Sequence, residues 1–293
     1  AASDVYKRQE DSTVSTAAWS PFSPPAAAGI LDVVEITLGR NHYLMRRSDG
    51  TIWGWGDDSG GALGDGAASS WAGGPAVQAL TIGDAVAIDS NAGTVCAVRS
   101  DGSVWCWGDG AEGQCGPPGG LGFQRHEPRP IDGVSDAVDV QTGNSHACAL
   151  RETGEVVCWG MDGTRGDGAA YRGDSYFTTS AAPVPGLMNV VSLVAGSYSS
   201  CAIREGGELW CWGMFQTWDA PDYHTPNRID GVSDVVDVAV GALVGDILGS
   251  FSGHLCVLER CGRVRCWGRH YLGQNGDGTT DDSTTPVDVI GLP

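Results

Sequence analysis

Apolar and polar residues alternate in short segments along most of the chain, and Gly-rich turns separate these segments. Stretches such as Val34-Glu35-Ile36 and Val138-Asp139-Val140 have the period of two that a half-buried β-strand requires, because successive side chains point to opposite faces. Short strands joined by Gly turns predict an all-β chain. No apolar run approaches the roughly 18 residues of a membrane-spanning helix, so we expect no membrane insertion.

A Trp-Gly dipeptide recurs at intervals of 52 to 55 residues, and a Gly lies five residues before each of these Trp residues. The five positions are Trp55, Trp107, Trp159, Trp212 and Trp267. Pro residues upstream suggest units at 29–74, 75–127, 128–182, 183–225 and 226–285, with 286–293 as the opening strand of a sixth. Repeats of this length with several short strands predict the four-stranded blades of a β-propeller.

Residues 1–28 differ from the repeats, since they carry Pro21, Pro24 and a run of Ala. We expect this segment to be an unstructured lead-in. Its first nine residues hold the single Lys of the chain, Lys7, and their composition suggests sequence that is not native. Residues 29–293 are expected to form one propeller domain.

Each of the last four units has two Cys, eleven residues and one residue before its Trp. In unit three, pairing Arg151 with Glu155 leaves a three-residue loop that ends at Gly154, where glycine accepts a positive φ. This register sets Cys148 opposite Cys158 at a non-hydrogen-bonded site, where Cα atoms approach to about 4.5 Å, close to the disulfide range. The predicted disulfides are Cys96–Cys106, Cys148–Cys158, Cys201–Cys211 and Cys256–Cys266.

The first unit lacks both cysteines and has Leu44 and Gly54 instead, as expected for two residues that work as a pair. The alternative is four pairs of buried free thiols in a reducing compartment. Disulfides indicate an oxidising location, which is extracellular, periplasmic or at the cell surface. Cys115 and Cys261 remain, and they could pair with each other, stay as two exposed thiols, or bond to another chain.

Unit three is similar to the repeat of the regulator of chromosome condensation family, on the residues His146-Ala147-Cys148-Ala149-Leu150, Gly154 and Val157-Cys158-Trp159-Gly160. The resemblance covers about residues 30–293, and the Cys-bearing form resembles secreted bacterial members of the family. It implies a β-propeller, commonly with seven blades. Five units are visible, so the ring is incomplete, smaller or open.

The formal charge of −19, from 36 acidic and 17 basic residues, opposes binding to nucleic acid phosphates. No motif indicates a catalytic, cofactor or metal site. The segment 275–282 places oxygen ligands at alternate positions, as calcium loops do, but lacks the Gly at the sixth place. We therefore expect no cofactor and no metal, with calcium binding left open.

Functional residues are expected to depart from a repeat that structural residues follow. Unit four replaces its Gly-Asp-Gly loop with aromatic residues, and unit five carries an apolar insertion. The candidate partner-binding residues are Phe215, Trp218, Tyr223 and His224 in unit four, and Leu243, Val244, Ile247, Leu248 and Phe251 in unit five. The alternatives are a repacked corner in unit four and, in unit five, a loop that caps the core or an exposed ring end.

His42, His146 and His254 share one repeat position. We interpret them as structural side chains that hydrogen-bond at the start of a strand.

These features favour a non-enzymatic extracellular scaffold that binds another protein through its face and rim loops. One alternative is a secreted carbohydrate-binding, hydrolytic or lyase propeller. Another, implied by the resemblance, is nucleotide exchange on a small GTPase, which the acidic charge and the Cys pairs oppose. Carboxylates or His residues converging in one pocket at the ring centre would favour catalysis.

Overall fold

A computed structural model describes residues 30–68, 75–117, 123–169, 177–213, 224–241, 253–270 and 272–291. In these ranges the chain forms five four-stranded antiparallel sheets and no helix. The prediction of an all-β chain built from four-stranded blades is confirmed.

Each blade uses four strands that pair in chain order. Blade one contains β1 (Val33–Leu38), β2 (His42–Arg47), β3 (Thr51–Gly56) and β4 (Val77–Gly83). Blade two contains β5 (Ala85–Asn91), β6 (Thr94–Arg99), β7 (Val104–Asp109) and β8 (Gln124–Pro130). Blade three contains β9 (Ala137–Thr142), β10 (His146–Arg151), β11 (Val156–Met161) and β12 (Phe177–Pro183). Blade four contains β13 (Val190–Ala195), β14 (Ser199–Arg204), β15 (Leu209–Gly213) and β16 (Asn227–Arg228). Blade five contains β17 (Val235–Val240), β18 (His254–Glu259), β19 (Val264–Gly268) and β20 (Ser283–Asp288).

The first strands of successive blades contact one another, from β1 through β5, β9 and β13 to β17. These strands therefore lie toward the ring centre, and the fourth strands lie toward the rim. The main hydrophobic cores of the described ranges lie between neighbouring blades, because four clusters of buried side chains combine residues of two successive sheets. A fifth cluster, around Val33, Met45 and Trp55, belongs to blade one.

The sheets are out of phase with the units that the prolines suggested. The Pro residues lie in or just before the fourth strands: Pro75 and Pro226 precede β4 and β16, and the other three lie within β8, β12 and β20. The interpretation of 286–293 as the opening strand of a sixth unit is therefore wrong, since β20 pairs with β19. Pro286 fits there because a fourth strand has one unpaired edge, where a missing N–H breaks no ladder hydrogen bond.

The hairpin between the second and third strands has the predicted register. The N–H of Arg151 donates to the carbonyl of Glu155 over 2.9 Å, and Gly154 has a φ of 77°. Cys148 then lies directly opposite Cys158. All four predicted Cys pairs have Cα atoms 4.1 Å apart and sulfur atoms at disulfide-bonding distance.

The Cys pairs of blades two, three and four face the following blade. Cys96 and Cys106 are buried in the same cluster as Val140 and Trp159 of blade three. In blade one, Leu44 and Gly54 take the equivalent paired positions. A Cβ atom on Gly54 would lie 2.5 Å from Cδ2 of Leu44, so the leucine side chain fills the space that a disulfide occupies in the other blades.

The repeated Trp connects its own blade to the preceding one. Nε1 of Trp107 donates to the carbonyl of Ala62 over 2.8 Å, and Nε1 of Trp159 donates to the carbonyl of Gln114 over 2.7 Å. Trp212 occupies the equivalent place in blade four, but its buried Nε1 has no hydrogen-bond partner. The indole ring therefore supplies packing in every blade and a hydrogen bond in some.

The Leu44–Gly54 register predicts that a fifth disulfide can be introduced in blade one. We expect the double substitution Leu44→Cys and Gly54→Cys to form this bond spontaneously under oxidising conditions. The gain of about 2–3 kcal/mol from closing the loop should roughly offset the lost leucine packing. Intact mass measured without reductant checks it, with Leu44→Cys alone as the control. Two alkylatable new thiols after oxidation would contradict the predicted register.

The Trp hydrogen bonds predict different effects for one substitution at two sites. Trp159→Phe and Trp212→Phe remove a similar buried volume, but only the first leaves a carbonyl without its donor. We expect Trp159→Phe to lower the free energy of unfolding by about 1–3 kcal/mol more than Trp212→Phe does. Urea denaturation of the two variants measures this difference. Equal losses of stability would argue against a stabilising role for the Trp159 hydrogen bond.

Candidate functional site

A pocket of about 440 Å³ lies where the first two strands of blades one, two and three are joined. Arg40 and Asn41 of blade one form one side, and Asn144 of blade three lies on another. Ala92 and Gly93 of blade two lie between them. The volume falls in the range of small-ligand sites.

The pocket exists because blade two has the smallest loop at this position. Its turn is the two residues Ala92-Gly93, where blade one has Arg40-Asn41 and blade three has Asn144-Ser145. Ala92 has a φ of 51°, a left-handed conformation that disfavours non-Gly residues by about 1–2 kcal/mol. Its carbonyl accepts the N–H of Arg40 over 2.8 Å. Small side chains in the middle blade therefore leave a hollow between larger neighbours.

Two carboxylates form the outer wall of this pocket. Asp57 and Asp109 directly follow the Trp-Gly dipeptides of blades one and two. The N–H of Asp57 donates to the carbonyl of Asn41, and the N–H of Asp109 donates to that of Gly93, both over 2.9 Å. The N–H of Ser59 donates to Oδ1 of Asp57 and lowers the pKa of this carboxyl, so Asp57 is ionised at neutral pH.

The His residues at the strand starts have structural partners in the following blade. Nε2 of His42 lies 2.8 Å from Oγ of Ser90, and Nε2 of His146 lies 2.8 Å from Oγ of Ser200. Burial lowers the pKa of both imidazoles to about 4, so they are neutral at physiological pH. The predicted structural role is confirmed for these two. Burial, followed by the charge of His270, also lowers the pKa of His254.

The ring centre carries carboxylates, and one of them connects three blades. Oδ2 of Asp89 in blade two accepts the N–H and the hydroxyl of Thr142 in blade three, over 2.7 and 2.6 Å. Its Oδ1 accepts the hydroxyl of Thr37 in blade one over 3.3 Å. Burial raises the pKa of Asp89 and raises that of neighbouring Asp139 to about 6. Asp89 thus belongs to the inter-blade contacts, whereas Asp139 accepts hydrogen bonds from Val140 and Gln141 of its own strand.

Across the described ranges, no group of three or more His, Cys, Asp or Glu side chains has a metal-binding arrangement. In the segment 275–282, Oδ1 of Asp277 accepts the N–H of Thr279 and lies 2.9 Å from Nε2 of His270. Oδ1 of Asp282 accepts the N–H of His270 over 2.7 Å. Both carboxylates therefore serve the folding of the loop itself.

Only one of the predicted partner-binding residues lies in the described ranges. This residue is His224, whose carbonyl accepts the N–H of Gly168 over 2.9 Å. The eight residues outside the described ranges are Phe215, Trp218, Tyr223, Leu243, Val244, Ile247, Leu248 and Phe251.

The two remaining cysteines are not bonded to each other. Cys115 is buried, and its thiol donates to the carbonyls of Trp107 and Asp109. Burial raises its pKa, which suppresses thiolate chemistry. Cys261 is exposed at the hairpin tip of blade five, at the opposite end of the strands. The expectations of a mutual disulfide or of two exposed thiols are therefore wrong.

In the part of the chain that the structure describes, no helix has the length and apolar character needed to cross a membrane.

Two sequence profiles of the regulator of chromosome condensation (RCC1) repeat match the chain. One matches residues 101–150, and the other matches 33–62, 85–114, 137–166 and 190–216. These segments are similar to RCC1 repeats. The four matches of the second profile cover the first three strands of blades one to four and include the Trp-Gly dipeptide of each.

Two proteins that the chain resembles are longer than the chain. The chain is 25% identical over 270 residues to human E3 ubiquitin-protein ligase HERC2. The aligned region covers 88% of the chain and 5% of the relative. It is 25% identical over 262 residues to the ultraviolet-B receptor UVR8 of Arabidopsis thaliana. This aligned region covers 87% of the chain and 57% of the relative. The chain therefore spans a small part of one relative and just over half of the other.

Solved structures show the same architecture. Human WBSCR16 has a TM-score of 0.69 at 19% identity, covering 88% of this chain and 67% of that one. Yeast RCC1 (Prp20), in its complex with Kap60, has a TM-score of 0.59 at 18% identity, covering 92% and 76%. At these identities the likeness establishes the propeller fold alone.

The raised pKa of Asp139 predicts an unusual pH dependence of stability. Its folded pKa of about 6 lies above the ordinary value of 3.8, so the folded state binds this proton first and gains stability as the pH falls from about 6 to 4. Asp139→Asn should raise the free energy of unfolding by roughly 1–2 kcal/mol at pH 7.5 and leave it unchanged near pH 4. Urea denaturation at several pH values measures this effect.

Asp237→Asn is the matched control. Asp237 has the same repeat position, and its Oδ1 accepts the N–H of Val238 as that of Asp139 accepts the N–H of Val140, but it is exposed. We expect little pH-dependent change there. An equal effect in both variants would mean that burial at the ring centre is not the cause.

Proposed function

We propose that this protein is a non-enzymatic extracellular scaffold that binds another protein through the loops on the pocket-bearing face. The observation that carries the proposal is the distribution of sequence differences among blades. The paired strands repeat with one register, whereas Arg40-Asn41, Ala92-Gly93 and Asn144-Ser145 differ at equivalent loop positions. Variable loops on a rigid, repeated framework are a common arrangement for recognition.

Similar propellers support a protein as the partner. Yeast RCC1 (Prp20) is described in complex with Kap60, and another report on Prp20p concerns its binding to Gsp1p and histones. Those partners belong to the yeast protein. They support the general expectation that a propeller of this kind uses its surface to bind proteins, and the charge of −19 here opposes a nucleic acid ligand.

The cysteines support an oxidising location. Four pairs lie at disulfide-bonding distance in equivalent hairpins, three of them fully buried, and such bonds persist outside reducing compartments. The same pairs oppose the alternative of nucleotide exchange on an intracellular GTPase.

The carboxylates at the ring centre have structural partners. Asp89 accepts hydrogen bonds from Thr37 and Thr142, and Glu35 pairs with Arg46 over 2.7 Å. These contacts favour a structural role over a hydrolytic one.

The proposal predicts that blocking the pocket-bearing face abolishes partner binding. We expect the substitutions Ser59→Trp and Gln124→Trp, both at exposed positions lining the pocket, to remove captured proteins that the wild type retains. The measurement is affinity capture from the extracellular fluid of the source organism, followed by mass spectrometry.

Glu152→Trp, exposed at a hairpin tip on the opposite end, is the control and should capture the wild-type set. Identical sets for all three proteins would contradict binding at this face. Protein recovered from the same fluid should contain two free thiols per chain, and ten would contradict the extracellular location.

A further inference from the structure

We propose that the pocket binds the cationic side chain of a Lys or Arg residue on the partner. This inference rests on the proposed function, because it names the chemistry by which the pocket-bearing face would recognise a protein. The pocket arises where the loop of blade two differs from the equivalent loops, and both carboxylates and amides line it.

The charges around the pocket favour a cation. Asp57 and Asp109 contribute two carboxylates, and Arg40 is the one cationic side chain among the lining residues. His42 also lines the pocket, but burial lowers its pKa to about 4 and leaves it neutral. The lining is therefore net negative at neutral pH.

Shape adds to this preference. A cation inside the pocket would be partly withdrawn from solvent, where salt screens a charge pair less than at an open surface. Gly60 lines the pocket, and a Cβ atom placed on it would meet only Nε2 of Gln124, at 3.8 Å. The walls therefore leave room for a long side chain to enter.

Amide groups at the border suit a donor-rich ligand. Nδ2 of Asn144 donates to Oη of Tyr198 over 3.2 Å, which orients the amide and leaves its oxygen to accept from a ligand. Guanidinium and ammonium groups are donors only. The pocket offers acceptors to such a ligand, namely the carboxylates of Asp57 and Asp109 and this amide oxygen.

The long-range field of the protein acts in the same direction. The formal charge of −19 attracts basic partners and repels acidic ones before contact, which raises association rates at low salt. Arg40 opposes the cation locally. Its removal should therefore strengthen binding of a cation, whereas it should weaken binding of a carbohydrate that needs the guanidinium as a donor.

The test uses small probes with the full chain, so it needs no identified partner. Amide chemical shifts are followed by NMR during titration with N-acetyl-arginine amide and, separately, with its neutral counterpart N-acetyl-citrulline amide. We expect the arginine probe to shift Ser59, Gly60, Gly93 and Asn144, and the citrulline probe to leave them unchanged. Asp109→Asn should weaken arginine binding about fivefold, and Arg40→Ala should strengthen it.

Asp65→Asn is the matched control. Oδ1 of Asp65 accepts the N–H of Ala67 as that of Asp109 accepts the N–H of Ala111, but Asp65 does not line the pocket. This variant should bind the arginine probe as the wild type does.

Equal responses to arginine and citrulline, or equal weakening by Asp109→Asn and Asp65→Asn, would overturn the inference. Shifts of the same amides by methyl glucoside in place of the arginine probe would also overturn it and indicate a carbohydrate site. Because face-directed protein capture is measured independently, failure with the probes leaves the scaffold proposal standing. If no protein is captured through this face but the arginine probe binds, the scaffold proposal is rejected and the cation site is retained.

Discussion

The packing of each blade against the next is the interaction on which the whole structure depends. A single four-stranded sheet has two faces and cannot bury either of them alone. Here the paired cysteines of one blade and the indole of the next enter the same buried cluster, as Cys148 and Cys158 do with Trp212. Blade one shows that the requirement is one of volume, since Leu44 against Gly54 satisfies it without sulfur.

Polar contacts add specificity to this apolar packing. Asp89 joins three blades through Thr37 and Thr142, and His42 and His146 each reach a Ser in the next blade. These groups are largely withdrawn from water, so their pKa values shift in the directions that burial dictates: upward for the carboxyl and downward for the imidazoles. The ring centre therefore contains titratable groups whose first role is to align neighbouring sheets.

The hairpin register was predictable because a three-residue turn ending in Gly154 allows one pairing of its flanking strands. The blade boundaries were not, because a periodic sequence has no intrinsic starting point, and the Pro residues mark fourth strands instead of new blades. The pocket was missed for a different reason. It arises from side chains absent at Ala92-Gly93, and only a comparison of equivalent loops across blades would have revealed it.

The placement of the disulfides also bears on how the chain reaches its oxidised form. Eight cysteines allow 105 pairings, yet each partner here is ten residues away, across one turn of a single hairpin. Correct pairing requires only that each hairpin form locally, before any blade docks on another. Oxidation can therefore proceed blade by blade, and none of these four bonds ties one blade to the next.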